Sequence, residues 1–413
     1  MRVASIAAGC LVLLAAKGLA AQNTAASEGY DHFYNLEYDD AIRCFTAETE
    51  RTPDDPNAWN HVAHAILYRA MFRSGALESE LVTGSNPFLH RDKVKITAAE
   101  HDEFDHAINR AMELSQARLA AEPDDPRALG ALGVSYALRA NYNFLVRKAW
   151  TDALHDATKA RNAHRRLCQL EPDNIDARMI PGVYDYVAGS LPLGYRILGF
   201  MAGYHGNRDR GIRALETVAH QGESSRSDAE VLLIAIYRRE RRPKETLALL
   251  EDLVQCYPRN HLLRFERVQM YGDLGDEEAA AAEIARIRGL KADGAPGFAN
   301  LAEEKIDYLE GNMLFWYNHL DRALAEMKKV TARSNELDLN TSLMSWMRLG
   351  QIYDLEHRRA QAVAAYRKGV AGAPQSEVAK ECRGYISKPY KRPQAVMPDA
   401  SGTAQLPEEP SNN

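Results

Sequence analysis

Apolar residues between Ser345 and Pro374 recur every three or four positions, which is the period of an amphipathic helix. One group lies on a single face of a first predicted helix: Trp346, Leu349, Gly350 and Tyr353. A second group, Ala362 and Tyr366, lies on a following helix that Pro374 terminates, because proline lacks a backbone N–H. Gly350 is small enough to let the two helices cross closely. The pattern therefore predicts an antiparallel helix pair.

This spacing resembles the tetratricopeptide (TPR) repeat, whose first helix carries W-x2-L-G-x2-Y and whose second helix carries A-x3-F. Tyr366 stands where the repeat usually has Phe. One such pair cannot bury its own apolar face, so a TPR repeat requires neighbouring repeats. The resemblance implies an all-α fold, a right-handed TPR-like α-solenoid of stacked antiparallel helix pairs.

The same signals recur along the chain. An alanine and a terminating proline stand twelve residues apart in four predicted second helices: Ala41–Pro53, Ala111–Pro123, Ala160–Pro172 and Ala362–Pro374. Asp55 and Asp125 can then cap the next helices, and the prolines after them suit a first helical turn. No run of residues predicts a β-strand. The sequence predicts a solenoid over residues 28–388.

Several stretches depart from the regular repeat. Residues 74–97 form a predicted insert, a loop or lid, between the two helices of one repeat, and a long helix follows at Ala98–Ala121. Pro181 predicts a kink or a late start in the helix that carries Gly182. Residues 389–413 form a predicted disordered tail, because their C-terminal part is rich in Pro, Ser, Asn and Gln.

The N-terminus has the organisation of a secretory signal peptide, predicted over residues 1–20. Arg2 precedes an apolar run of about 14 residues, which is shorter than the ~20 residues that span a membrane, and Gly18-Leu19-Ala20 matches a cleavage site. We expect an exported protein of the periplasm or envelope, with a linker at 21–27 and no transmembrane span in the mature chain. Anchoring as a lipoprotein through Cys10 is disfavoured, because the apolar run continues beyond that cysteine.

Composition narrows the class of protein. Of 413 residues, 46% are hydrophobic and 26% are charged, as in soluble folded proteins, and the net charge of -6 argues against a nucleic-acid binder. Beyond the signal, the cysteines are widely spaced without CxxC or zinc spacing: Cys44, Cys168, Cys256 and Cys382. Three of them fall on second helices of different repeats, so we expect free, buried thiols in preference to disulfides.

A mid-chain stretch carries a second resemblance. Residues 191–200 read LPLGYRILGF and lead into residues 203–212, GYHGNRDRGI. This order of motifs resembles the family of tetratricopeptide repeat protein 39, which includes the fungal inclusion-body-clearance protein. The segments Phe33–Leu36 and Ser387–Tyr390 look similar to that family too. The resemblance implies an α-solenoid with adaptor or quality-control roles. Its eukaryotic members are intracellular, so we expect an exported bacterial relative here.

The sequence contains no recognised motif for a catalytic or nucleotide-binding site. The pairs His61/His64 and His101/His106 suggest a metal only weakly, since a site needs a third ligand, and ordinary packing histidines are the favoured interpretation. We therefore predict no catalytic residue, no metal and no cofactor. The alternative is a helical enzyme, or a protein that binds a small ligand or metal under the insert at 74–97.

Stacked first helices of a TPR solenoid line a concave groove that can hold a peptide or helix. By repeat position, the predicted partner-binding groove consists of Asn57, Asn60, His64, Tyr68, Val134, Leu138, Met344, Met347, Gln351 and Asp354. These residues do not form the Lys/Arg/Asn clamp typical of chaperone-tail TPRs, which favours an apolar or extended partner. We predict a non-catalytic scaffold for a protein or peptide partner, with no nucleic acid bound. Self-assembly is a third option, and the oligomeric state is open.

Overall fold

The computed structural model describes residues 26–77, 93–191 and 205–392. Within these ranges the chain forms seventeen α-helices and no β-strand, which confirms the all-α prediction. The first nine helices are α1 (26–34), α2 (Tyr38–Arg51), α3 (Pro56–Arg73), α4 (Ala98–Ala121), α5 (Pro126–Tyr142), α6 (Trp150–Leu170), α7 (Met179–Gly189), α8 (Arg208–Gln221) and α9 (Arg226–Arg239). The rest are α10 (Pro243–Cys256), α11 (His261–Leu274), α12 (Glu277–Ala292), α13 (Glu303–Trp316), α14 (Leu320–Ala332), α15 (Leu339–Leu355), α16 (Arg359–Gly372) and α17 (Glu377–Ser387).

These helices form eight antiparallel pairs, from α1–α2 to α15–α16, and α17 packs against the last pair. The first helices also contact one another in turn, α3 with α5 and α5 with α7, and later α11 with α13 and α13 with α15. Stacking of successive pairs through their first helices is the arrangement of a TPR-like α-solenoid. No described helix is both long and apolar enough to span a membrane.

The predicted starts of α3 and α5 are confirmed. The Asp55 carboxylate accepts a hydrogen bond from the Asn57 backbone N–H at 3.0 Å, and the Asp125 carboxylate accepts two from the first turn of α5 at 2.9 and 3.2 Å. Pro56 and Pro126 occupy the first turns, where the missing N–H has no intrahelical partner to lose. The repeated Asp-Pro signal therefore marks real helix starts.

The recurring alanines are the packing positions of the second helices. Ala41, Ala111 and Ala362 are fully buried, and Ala160 is 1% exposed. The first helix of the last pair approaches just as closely, because a Cβ at Gly350 would lie 2.4 Å from the ring of Tyr366. The spacing found in the sequence thus reports where the two helices of a pair touch.

Parts of the irregular stretches fall within the described residues. A short 3-10 turn at Asp176–Arg178 precedes α7, so Pro181 falls within the first turn of a helix that starts late. The insert separates α3 from α4, although its central residues 78–92 lie outside the described residues. Near its end, the Val94 N–H donates to the Leu145 carbonyl at 3.0 Å, which ties the insert to a π-helical turn at Asn143–Arg147.

The described residues continue past both predicted bounds of the solenoid, 28 and 388. Residues 26 and 27 of the expected linker are helical. At the other end, Tyr390 is 8% exposed and its backbone N–H donates to Asp354 at 2.8 Å, so Tyr390 packs against the last helix pair. The predicted signal peptide, the remaining tail at 393–413 and the motif residues 192–204 lie outside the described residues.

The four described cysteines are all unpaired. Only Cys382 is fully buried, whereas Cys44 and Cys168 are half-buried and Cys256 is exposed. The prediction of free thiols agrees with the structure, but the prediction of buried thiols is right for Cys382 alone. The physical reason is that the other three lie on outward faces of second helices.

The N-terminal pair returns to contact the middle of the chain. The Tyr34 hydroxyl donates to Asp228 at 2.7 Å, and the Tyr34 ring lies 4.7 Å from the ring of Tyr257. The Asn260 amide donates to the Tyr34 carbonyl at 2.8 Å, and the Arg259 N–H donates to the Asn35 side chain at 2.9 Å. The solenoid therefore closes on itself between α1 and the α9–α11 region. We refer to this set of interactions as the closure contact.

Reversing the charge of Arg259 is expected to open the closure contact. Its guanidinium donates to Asp31 at 2.6 Å and to Glu37 at 2.8 and 3.0 Å, and all three side chains are partly exposed. Arg259→Glu turns attraction into repulsion, with an expected loss of about 1–2 kcal/mol. We expect a larger radius of gyration by X-ray scattering. Arg286→Glu, an exposed arginine on α12, is the control, and an unchanged radius for Arg259→Glu would contradict the assignment.

Candidate functional site

A cavity of about 2210 Å³ lies inside the closed part of the solenoid. Most of its wall comes from the first helices α1, α3, α5, α7, α9 and α11, and α6 contributes a further strip. The closure contact joins α1 to α9. The concave groove expected of an open solenoid is therefore closed on one side by the contact between these helices.

The wall of the cavity is mainly apolar. The described part of the chain has six strongly exposed large apolar side chains, and three of them line this cavity: Trp150 at 41%, Leu154 at 42% and Val231 at 39%. Exposed apolar groups gathered in one concavity mark binding surfaces, since a chain gains nothing from leaving them in water. The cavity is therefore the candidate functional site.

One end of the cavity is polar. The Asp228 carboxylate on α9 accepts the hydrogen bond from Tyr34 on α1, and beside it the Ser227 and Tyr257 hydroxyl oxygens lie 2.7 Å apart. All four residues line the cavity. This polar end is built by the closure contact, because its groups come from helices about two hundred residues apart in sequence.

The surroundings change the acidity of these groups. Burial raises the pKa of Asp228 to about 6, although the hydrogen bond from Tyr34 and the nearby His61 act in the opposite direction. Burial lowers the pKa of His64 to about 3, and it also lowers the pKa of His164. His64 is therefore neutral at pH 7, while Asp228 is mostly ionised there and becomes protonated below pH 6.

Six of the ten residues predicted for the groove line this cavity: Asn57, Asn60, His64, Tyr68, Val134 and Leu138. Asn60 also joins two first helices, because its amide donates to the Ala131 carbonyl at 2.9 Å and accepts from Ser135 at 2.7 Å. The His64 ring packs against Phe33 and Tyr68, with centroid distances of 4.5 and 4.6 Å. The structure thus brings this first set together.

The other four predicted residues lie on α15, away from the cavity: Met344, Met347, Gln351 and Asp354. Met347 is 5% exposed, Gln351 4% and Asp354 8%, because α13, α14, α16 and α17 surround α15. Closure of the solenoid at α9–α11 leaves these later pairs outside the enclosed part. A binding role for these four stays a prediction, and the candidate site consists of the cavity residues.

The sequence did not point to the residues that enclose the cavity, notably Tyr34, Trp150 and Asp228. Tyr34 appeared only within a family resemblance, and Asp228 carries no motif. A dense run of aromatic residues in α1, Tyr30, Phe33 and Tyr34, was the one available signal of a buried role. Their partner helix could not be identified, since it lies far along the chain.

Two groups of potential metal ligands occur in the described chain, both around His32. Glu28, His32 and Cys44 place three donor atoms within 4.8 Å of one another, as do His32, Glu37 and Asp40. None of them lines the cavity. The histidines considered from sequence have other neighbours: His61 lies 3.0 Å from the Glu48 carboxylate, and His101 lies 2.7 Å from the Tyr142 hydroxyl.

No family model and no curated protein matches the chain. Several solved structures are similar to the chain. Yeast Tom70 is 11% identical over 89% of this chain and 95% of its own, with a TM-score of 0.38. A tetratricopeptide repeat protein from Parabacteroides merdae is 13% identical over 78% of this chain and 98% of its own, with a TM-score of 0.31. The human IFIT1 dimer with m7Gppp-AAAA is 14% identical over 87% of this chain and 79% of its own, with a TM-score of 0.43. At such identities and scores these likenesses carry no argument about function, and the TPR-like fold rests on the helix pairs themselves.

Proposed function

We propose that the chain is a non-catalytic scaffold that binds an apolar segment of a protein partner inside the cavity. The observation that carries this proposal is the position of Trp150, Leu154 and Val231, whose exposed apolar side chains converge there. Burying them against a partner removes apolar surface from water, which contributes about 25 cal/mol per Å² before the entropy cost of association is subtracted.

The size and polar groups of the cavity suit a peptide. A helix about 10 Å across occupies roughly 120 Å³ per residue, so the cavity volume of about 2210 Å³ corresponds to about 18 residues. Asn57 and Asn141 add side-chain amides to the lining. Amides can hydrogen-bond to a peptide backbone, whereas a hydrocarbon chain would leave them unpaired.

A protein partner is also favoured over nucleic acid. Among the residues that the structure describes, no lysine or arginine lines the cavity. Binding of nucleic acid depends on neutralising phosphates with such cations. The lack of cations in the described wall and the net charge of -6 both favour a protein partner over nucleic acid.

A small apolar ligand is the second candidate, and one observation favours it. Ala76 and Leu77, at the start of the insert, line the cavity, so a site under the insert coincides with part of the candidate site.

We propose in addition that the protein acts in the bacterial envelope and shares an adaptor role with the family of tetratricopeptide repeat protein 39. The N-terminal signal pattern supports the first of these proposals, and the motif around Gly211 supports the second.

Placing two carboxylates in the cavity is expected to abolish partner binding. The change is Leu154→Glu with Val231→Glu, which puts charge where an apolar segment would pack. The measurement is affinity capture from detergent-solubilised native envelope, read by mass spectrometry, with circular dichroism confirming unchanged helicity. We expect a stoichiometric partner of the unaltered chain to disappear.

The matched control changes two leucines of similar exposure outside the cavity, Leu274→Glu with Leu339→Glu. Their exposed fractions are 36% and 40%, against 42% and 39% for the cavity pair. The control is expected to retain the partner. A partner kept by the cavity variant, or lost equally by both variants, would contradict binding in the cavity.

A further inference from the structure

Among the described residues that line the cavity, the acidic and basic side chains are carboxylates and histidines. Four carboxylates contribute to the wall, from Asp176, Glu223, Asp228 and Glu266, and the described lysines and arginines contribute none. The chain contains 51 lysines and arginines, so its composition does not explain why the described part of the wall has none. An occupant that complements such a wall carries positive charge.

Two of the four carboxylates are already satisfied by the protein. Asp176 accepts hydrogen bonds from the backbone N–H groups of residues 223–225, at 3.0 to 3.3 Å. Glu266 pairs with the Arg238 guanidinium at 2.5 Å. Glu223 is exposed, so water can solvate it. These three carboxylates therefore need no cation from a ligand.

Asp228 differs from them. It is half-buried in the wall of the cavity, and burial raises its pKa. Tyr34 donates to one carboxylate oxygen, but no described lysine or arginine forms an ion pair with it. The nearest source of positive charge is His61, which is engaged with Glu48. Partial removal of a carboxylate from water without a paired cation is unfavourable, and a bound cation would relieve that penalty.

We propose that the segment bound in the cavity carries one lysine or arginine, whose side-chain cation pairs with Asp228. This inference rests on the proposed binding of an apolar peptide segment and adds the chemical feature by which the cavity selects it. The apolar wall then packs the remainder of the segment, while Tyr34 orients the carboxylate toward the cation. Specificity follows because a segment without the cation leaves Asp228 unpaired.

The test uses the purified full chain and three synthetic peptides with capped termini. Each is an 18-residue Ala/Leu helix with uncharged glutamines at both ends, and the central residue is lysine, norleucine or glutamate. Fluorescence anisotropy gives the dissociation constants. We expect the lysine peptide to bind on the order of tenfold more tightly than the norleucine peptide, and the glutamate peptide to bind most weakly.

Asp228→Asn is expected to remove the preference for lysine, so that the lysine and norleucine peptides bind equally. The norleucine peptide should keep its wild-type affinity, which a variant that merely disrupts the fold would not allow. The matched control is Asp252→Asn, an exposed acid on α10 outside the cavity, which should keep the preference.

The pH dependence of peptide binding provides a second test of the role of Asp228. The groups facing Asp228 are Tyr30 and Tyr34 on α1, His61 on α3 with its partner Glu48, and Tyr257. Below pH 6 Asp228 becomes neutral, which weakens its attraction for a cation. Binding of the lysine peptide should therefore fall between pH 7.5 and pH 5, while binding of the norleucine peptide should not change.

The outcomes separate the two proposals. Equal affinity of the wild-type chain for the lysine and norleucine peptides overturns the role of Asp228 but leaves peptide binding intact. Failure of all three peptides to bind overturns the proposed function itself. Dodecylamine and dodecanol are tested in parallel. Binding of either one without any peptide also overturns the peptide proposal, because it identifies a small amphiphile as the occupant.

Discussion

Asp354→Ala is expected to lower the free energy of unfolding of the C-terminal pairs by about 2–4 kcal/mol. The Asp354 side chain is 1% exposed and connects three elements. It accepts from Arg359 at 2.9 and 3.1 Å, from the Tyr366 hydroxyl at 2.9 Å and from the Tyr390 N–H at 2.8 Å. Burial, and then the hydrogen bond to Asp354, hold the pKa of Tyr366 far above its usual range, so that hydroxyl stays a donor.

Removing the carboxylate leaves two buried donors, the Tyr366 hydroxyl and the Tyr390 N–H, without an acceptor. Each such group costs about 1–3 kcal/mol. Urea unfolding followed by circular dichroism measures the loss, and hydrogen exchange should show faster exchange in α16 and α17. Asp252→Ala on the exposed face of α10 is the control, expected within about 0.5 kcal/mol of the unaltered chain. A loss below 1 kcal/mol for Asp354→Ala would show that Asp354 does not hold the C-terminal segment in place.

Gly211→Ala is expected to separate α7 from α8 and to destabilise the chain by about 3 kcal/mol. A Cβ at Gly211 would lie 2.5 Å from the backbone nitrogen of Tyr186 and 2.6 Å from the carbonyl oxygen of Gly182. Both neighbours are backbone atoms, so no side chain can rotate to make room. The two helices must move apart, and the apolar contacts between them weaken.

Gly272→Ala is the matched control for this substitution, because it makes the same chemical change inside a helix. Nothing lies within 4 Å of a Cβ at Gly272 on α11, so alanine should stabilise by about 0.5–1 kcal/mol through its higher helix propensity. Thermal unfolding followed by circular dichroism compares the two variants. Melting temperatures that shift in the same direction would mean that the close crossing of α7 and α8 is not required.

The helix pairs were predictable because their signals are local. Ala362 and Pro374 lie within one helix and its end, and Asp55 caps a helix that starts at the next residue. Capping, helix termination and packing of adjacent helices all involve residues that are close in sequence. The late start of α7 could likewise be predicted from Pro181 alone.

The site was only partly predictable. Asn57, His64 and Leu138, which repeat position assigned to the groove, line the cavity, whereas Met347 and Gln351, assigned by the same rule, lie buried on α15. The rule describes one repeat at a time and assumes that the inner face is open everywhere. It cannot show that helices packed around α15 bury the second set of residues.

By itself, the sequence determined an all-α chain of TPR-like helix pairs, most of their boundaries, and the absence of recognised catalytic motifs. Only the tertiary structure shows that the stack of helix pairs curves enough for Tyr34 to donate a hydrogen bond to Asp228. This closure creates the cavity with its acidic end. The physical reason is that small rotations between successive pairs add up along a solenoid. Each rotation depends on packing within one interface, and no local pattern in the sequence records their sum.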